Sequence, residues 1–485
     1  MHFVVKLFPE IIIKSPPVRK RFIKQLRANL RRVIKGRGHS AEVRNEWDKV
    51  EVLIPSGDQE CAEAVKRILA TTPGIANFSE VTQHPLGDFD QIADLLWADY
   101  GQSLSHKTFC VRVKRTGKHD FKSVDAEREI GGRLLQRAES ATVRLNDPNI
   151  KIRLEIRGDQ LYILEQTTQG LGGFPLGTQE AVMSLISGGF DSTVASYLTM
   201  KRGLRTHFCF FNLGGRAHEL GVKEVAWYLW DKYGSSHRVK FITVPFEDVV
   251  TEILTKVDNS QMGVVLKRMM YRAATEVANA WNVNALVTGE CVAQVSSQTL
   301  PNLAVIDSVT DMLTIRPLIT MDKNDIINIA RNIGTEDFAA NMPEYCGVIS
   351  VKPTTRAKPE RIKREEENFD FAVLEKAIEN RREENIDEMM ADLVELPTVE
   401  TFSSPQPAMT ILDIRHPDEV MRKPLKVGAA EVATAPFFSL QKNFKTLDQD
   451  KHYLLYCDHG VMSKLHAELL HEQGFENLGL YLPRV

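Results

Sequence analysis

The sequence predicts an α/β multidomain protein whose largest part is a doubly wound parallel sheet. Three observations carry that reading. Apolar strand-length runs alternate with helical patterns from residue 170 to 395. The turn Ser187-Gly188-Gly189-Phe190-Asp191-Ser192 joins the apolar run Val182–Ile186 to a helical pattern, Thr193–Met200. The 485 residues are too many for one core, so two to four domains are expected.

Residues 1–60 read as a small α/β unit. Phe3–Phe8 and Val50–Ile54 are strands, and Val18–Lys35 is a helix with Phe22, Ile23, Leu26, Leu30 and Val33 near helical spacing. Residues 61–165 read as a second unit. Ala62–Ala70, Phe89–Tyr100 and Val124–Ala138 look helical, and Thr108–Lys114 alternates as a strand. Ile150–Ile156 and Gln160–Glu165 flank Arg157-Gly158-Asp159, a hairpin signal.

In residues 170–395, Thr206–Phe211, Val239–Val244 and Ala285–Thr288 are buried strands, with helices over Glu219–Tyr233, Val264–Trp281 and Lys323–Ile333. Ligands of such sheets bind beyond the C-terminal strand ends, where the glycine turn falls. Residues 356–395 interleave Lys, Arg and Glu and read as helix and linker; 396–408, rich in Ser and Pro, is the boundary. Residues 409–485 begin a new unit, with strands Thr410–Arg415, Tyr453–Cys457 and Asn477–Leu482 and a helix ending near Glu472.

The bulk composition excludes some classes. At 43% apolar and 26% charged residues, it is that of ordinary globular protein. No run of eighteen apolar residues predicts a membrane span, and the start lacks a secretory apolar core, so a cytoplasmic protein is expected. The six cysteines contain no Cys-x-x-Cys pair, which argues against a zinc ribbon or a local iron–sulfur ligand set. Net charge is −3, yet ten Lys or Arg and no carboxylate lie between Ile11 and Ala41. A second basic stretch spans Lys107 to Lys122. This asymmetry points to nucleic acid as partner.

The glycine turn suits a phosphate-bearing ligand. Gly188 and Gly189 allow close backbone approach, the following helix directs free N–H groups outward, and Ser187 and Ser192 add hydroxyls. No Walker pattern is present. Asp191 at the first helical turn can orient Mg²⁺, position an acceptor or cap the helix. Lys267, on an otherwise apolar helical stretch, is expected at a phosphate. Thr288-Gly289-Glu290 ends a strand and should face the nucleotide, with Gln294–Thr299 at the same sheet edge.

Cys457 lies where a strand ends and a helix begins, a setting that stabilises a sulfur anion and lowers a thiol pKa. A Cys-x5-Arg phosphatase would need arginine where Ser463 stands. Cys346, in Pro343-Glu-Tyr-Cys-Gly347, is the candidate resolving thiol; Cys61, Cys110, Cys209 and Cys291 read as structural.

Ser-Gly-Gly-x-Asp-Ser resembles the pyrophosphate (PP) loop of ATP pyrophosphatases. The preceding unit resembles a THUMP RNA-binding domain behind a ferredoxin-like unit, and the Cys457 unit resembles a rhodanese domain. This order, with Asn212–Gly215, Gln261–Arg268, Gln294–Thr299 and Pro343–Gly347, resembles the long-form tRNA uridine 4-sulfurtransferase family. The resemblance implies adenylation of uridine eight of tRNA by ATP, with Mg²⁺, followed by sulfur transfer to C4 from a persulfide on Cys457. It implies Cys346 as the disulfide partner, Asp191 as a catalytic group, and Leu185, Ile186, Lys267, Gly289 and Gln298 at ATP. It further implies a cysteine desulfurase as donor and a sulfur carrier protein of thiazole synthesis as second acceptor. A 2-thiouridine synthase and an RNA-binding scaffold are the alternative readings.

Overall fold

A computed structural model describes residues 1–46, 49–55, 58–213, 215–340, 342, 352–389, 399–406, 409–415, 417–428, 430–457 and 461–483. Two compact units divide the chain, Met1–Thr178 and Gln179–Val485.

The first unit is built on an eight-stranded sheet. Its spatial order is Glu42–Glu46, Lys49–Leu53, His2–Leu7, Ile75–Pro85, Gln160–Gly172, Ile150–Arg157, Thr108–Thr116 and Thr142–Val143. The helix Gln59–Thr71 and the strand Ile75–Pro85 complete a βαββαβ order that begins at His2. Ile75–Pro85 also pairs antiparallel with Gln160–Gly172, so the sheet runs on without a break. Neither Ile75–Pro85 nor Glu42–Glu46 stood out in the sequence, because Asn77, Ser79, Glu80, Gln83 and the charges of 42–46 dilute the apolar alternation.

Alternation puts Phe3, Val5 and Leu7 on the helix-covered face, with Phe22, Ile23, Leu26 and Leu30 of the helix Pro16–Gly36. On the other face the sheet curls. Lys49 and Glu155 sit on strands four spacings apart, about 19 Å in a flat sheet, yet their side chains form an ion pair. Arg157 joins Glu51 at 2.6 Å and Glu155 at 2.9 Å, closing the trough. Bulges between Lys6 and Leu7, Ile75 and Asn77, and Ser79 and Val81 supply the bend.

The second unit holds two sheets. The larger has the order Leu313–Ile315, Ala285–Val287, Ala181–Leu185, Arg205–Asn212, Lys240–Pro245 and Arg382–Asn385. The first five strands are parallel, as expected, but Arg382–Asn385 adds an antiparallel edge against Lys240–Thr243. That strand, Arg-Glu-Glu-Asn, lies within the stretch read as helix and linker; an edge position allows its charged composition.

The smaller sheet is wholly parallel, in the order Thr401–Phe402, Leu478–Tyr481, His452–Tyr456, Met409–Asp413 and Glu431–Thr434. Thr401–Phe402 falls in the stretch read as linker, and Glu431–Thr434 is too short and polar to show in the sequence. Among the described residues, no helix is long and apolar enough to cross a membrane.

Candidate active site

In chain order the five parallel strands of the larger sheet run 5-4-1-2-3. Connections therefore leave in opposite directions from Ala181–Leu185 and Ala285–Val287, opening a crevice beyond their C-terminal ends. The glycine turn follows the first of these strands and Thr288-Gly289-Glu290 the second. Topology thus brings together two motifs a hundred residues apart.

The turn is held from inside. Ser187 N–H donates to Ser192 Oγ at 3.1 Å, and the two hydroxyl oxygens lie 3.0 Å apart. Ser192 is buried and organises the loop, whereas Ser187 is exposed at its tip. Gly188 has φ +81°, a conformation that disfavours any side chain, and a Cβ there would lie 2.4 Å from Met342 Cε. Gly189 is the N-cap of the helix Phe190–Lys201, whose first N–H groups face the crevice end of the sheet.

Asp191 is not the helix cap. Its carboxylate accepts from Gln294 Nε2 at 2.7 Å and Lys323 Nζ at 2.8 Å. Lys323 did not stand out in the sequence beyond opening a helix. A cation at the first position of a helix opposes the macrodipole, and that unfavourable placement is the signal that could have found it. Gly289 makes the convergence possible: a Cβ there would meet Asp191 C at 2.4 Å and Ser192 N at 2.5 Å.

Behind Gly289, Glu290 is buried in a charged cluster. It accepts from Lys267 at 2.7 Å, Tyr271 at 2.8 Å, Arg316 Nε at 2.9 Å and Thr288 at 3.2 Å. Burial alone would raise the Glu290 carboxyl, but Lys267 and Arg316 override it and bring it to about 2. Lys267 thus meets a protein carboxylate beside the crevice. The Glu290 contribution to stability is complete above the ordinary 4.5 and is lost as pH falls toward about 2. The Glu290→Gln protein should lack that step, on the order of 3 kcal/mol, in acid denaturation followed by circular dichroism.

Arg268 goes elsewhere, forming two bonds to Glu366 at 2.6 and 2.9 Å that pin the helix Pro359–Glu367 to the long helix Met262–Ala280. Glu366→Ala strands a buried guanidinium and should destabilise the protein by about 3–5 kcal/mol, read from the urea midpoint.

Gln298, in the short turn Ser296–Gln298, is buried and its Oε1 has no hydrogen-bond partner among the described residues. A buried amide oxygen without a donor is suited to a ligand N–H. Leu185 is half-buried and Ile186 is buried at the end of the first crevice strand. His218, on the helix Gly215–Leu229, hydrogen-bonds the backbone of Ser187 and so braces the turn from the third side.

The smaller sheet repeats the topological logic. Cys457 follows His452–Tyr456, and the neighbouring strand Met409–Asp413 sends its connection the other way. Ser463 N–H, in the first turn of the helix Val461–Glu472, points at Cys457 Sγ at 3.3 Å, an anion-stabilising contact. Arg415 is committed to Asp413 at 2.6 and 2.8 Å and stacks 5.1 Å from the Tyr456 ring, so it braces the strand.

Cys346 lies outside the described residues. The other four cysteines are buried. Burial pushes the Cys209 thiol up to about 12 and also raises Cys61 and Cys291, in keeping with a structural reading. Among the described residues no cluster of three His, Cys, Asp or Glu could hold a metal ion. On the helix Pro16–Gly36, Lys20, Arg21, Lys24, Arg31, Arg32 and Lys35 are exposed, a cationic face with no carboxylate on the same helix.

Comparison with known proteins places the chain. Residues 2–79 match the ThiI ferredoxin-like domain, 89–164 the THUMP domain, 177–371 the thiamine biosynthesis protein (ThiI) family and 399–482 the rhodanese-like domain. The tRNA sulfurtransferases of Saccharophagus degradans and Azotobacter vinelandii are 55% and 53% identical to it over the full length of both chains. The chain belongs to the tRNA sulfurtransferase family. It is the long form, with ferredoxin-like, THUMP, PP-loop and rhodanese domains, and an enzyme of sulfur transfer. A solved 4-thiouridine synthetase–RNA complex with bound ATP is similar at 26% identity and TM-score 0.69, covering 79% of this chain and 99% of that one. The structure of PH1313 from Pyrococcus horikoshii shares the fold, with a TM-score of 0.54 over 69% of this chain and all of that one.

Proposed function

We propose that this tRNA sulfurtransferase uses ATP to adenylate O4 of uridine eight and then replaces that oxygen with sulfur carried as a persulfide on Cys457, giving 4-thiouridine. The observation that carries the reading is the crevice where Ser187–Ser192 and Thr288–Glu290 meet, with Cys457 at the corresponding point of a second sheet. The similar 4-thiouridine synthetase, solved with RNA and ATP, supports it.

The residues fit a nucleotide. Backbone N–H groups of Gly188, Gly189 and the following helix would hold phosphate oxygens, with Ser187 at the tip. The main chain at Leu185 and Ile186 would flank the adenine, and the orphaned Gln298 Oε1 would take an amino N–H. Lys267 would turn from Glu290 toward a phosphate, leaving Arg316 to hold that carboxylate. Gly289, lacking a side chain, leaves the crevice open. Mg²⁺ would reside on the triphosphate with Asp191 as its protein ligand, and Lys323 would neutralise the α-phosphate as pyrophosphate departs.

Adenylation converts a poor leaving group into AMP. The terminal persulfide sulfur then attacks C4, the C4–O bond breaks and AMP leaves. A Cys346 thiolate attacks Cys457 Sγ, the sulfur–sulfur bond to the base breaks, and the electron pair stays on the C4 sulfur. A Cys346–Cys457 disulfide remains, which a thiol reductant must reopen.

The exposed cationic face of Pro16–Gly36 and the THUMP domain would bind tRNA. A cysteine desulfurase would load Cys457, and a sulfur carrier protein of thiazole synthesis would be a second acceptor, in line with the thiamine biosynthesis family match. Such partners belong to the cytoplasm. The test is nucleoside mass spectrometry of tRNA from cells lacking the gene. 4-Thiouridine should be absent and return with the intact chain; its persistence would refute the reading.

A further inference from the structure

Beyond the two reaction centres, a buried polar contact joins the domains that carry them. His466 Nε2 and Glu224 Oε1 lie 2.9 Å apart, with His466 3% and Glu224 7% exposed. Glu224 belongs to the nucleotide-binding part and His466 to the rhodanese domain. Both are desolvated at the seam, and a buried carboxylate without its partner is unfavourable, so the contact selects one docking geometry. Aromatic rings continue the seam: Phe338 packs 4.6 Å from Phe437, 5.1 Å from Tyr228 on one side, and Phe437 lies 6.2 Å from His466 on the other.

Each half of this contact is tied to a reaction centre. His466 is one turn beyond Ser463 on the helix Val461–Glu472, and the Ser463 N–H meets Cys457 Sγ. Glu224 is six residues from His218 on the helix whose His218 hydrogen-bonds the backbone of Ser187. Phe338 lies four residues before Met342, which rests against Gly188. The helix that receives the rhodanese domain through Glu224 is thus the one that carries His218 at the glycine turn.

We propose that Glu224 and His466 are positioning residues that dock the rhodanese domain in the arrangement from which Cys457 delivers its sulfur. The inference rests on the sulfur-transfer reading above. It divides the reaction: ATP chemistry and persulfide loading belong to single domains, whereas transfer needs the docked pair.

The experiment compares the intact protein with Glu224→Gln, His466→Ala and the swapped Glu224→His/His466→Glu chain. Three rates are read on each: tRNA-dependent ATP–pyrophosphate exchange, Cys457 persulfide loading by a cysteine desulfurase with cysteine, and single-turnover 4-thiouridine formation. In the single variants, exchange and loading should stay within about twofold while transfer slows by about tenfold or more, and the swap should recover much of the loss. Transfer at the unmodified rate overturns the proposal. So does a parallel fall in exchange or loading, which would make the contact merely structural. If the unmodified protein itself shows no exchange and no loading, the sulfur-transfer reading fails, an outcome separable from both.

Discussion

Cys457→Ser should abolish 4-thiouridine formation while leaving tRNA-dependent ATP–pyrophosphate exchange intact. The fall in thiolation should exceed about a thousandfold, because a serine oxygen cannot carry sulfane sulfur and the substitution removes the nucleophile itself. The substitution is nearly isosteric at a buried strand end, and Ser463 N–H can donate to a hydroxyl as it does to the thiol. Exchange should survive because it depends on the crevice of the other sheet, whose polar contacts involve residues 187–323. The paired assay therefore reads the two halves of the reaction separately. A Cys457→Ser protein that thiolates tRNA normally would remove the persulfide role.

Gly289→Ala should do the reverse. The new Cβ would meet Asp191 C at 2.4 Å and Ser192 N at 2.5 Å, and these are backbone atoms that cannot swing aside. The end of Ala285–Val287 must then part from the first turn of Phe190–Lys201. That shift moves Asp191 away from Gln294 and Lys323 and Ser192 away from Ser187. Misplacement on the ångström scale lowers a positioned reaction by about a hundredfold, and overpacking costs about 1–3 kcal/mol of stability. Exchange should fall by that factor, while desulfurase loading of Cys457, on its own sheet, should continue. Normal exchange in Gly289→Ala would show that the two strand ends do not jointly form the nucleotide site.

These contrasts mark what could be read from the sequence. Strand–turn–helix geometry is local, so the place of the Ser187–Ser192 turn and of Cys457 at strand ends was legible from their neighbours alone. The parallel sheet followed from strand–helix alternation. What needed topology was invisible. Glu290 gave no hint of its cluster, because Lys267, Tyr271 and Arg316 reach it from a helix and a strand end distant in sequence. The contact of Asp191 with Lys323 spans 132 residues. The curled first sheet was equally hidden, since it depends on bulges and on ion pairs between Lys49, Glu51, Glu155 and Arg157 rather than on periodicity. The edge strands Glu42–Glu46, Arg382–Asn385, Thr401–Phe402 and Glu431–Thr434 escaped because edges tolerate polar residues.

The most direct test of the account is a single turnover with sulfane-labelled enzyme. Protein carrying one labelled persulfide on Cys457 is mixed with tRNA and ATP without free sulfide or reductant, then quenched and resolved by mass spectrometry. Labelled 4-thiouridine, AMP and pyrophosphate are expected in equal amounts, with Cys346 and Cys457 recovered as a disulfide. Thiolated tRNA that lacks the label, or that forms without release of AMP, would contradict it.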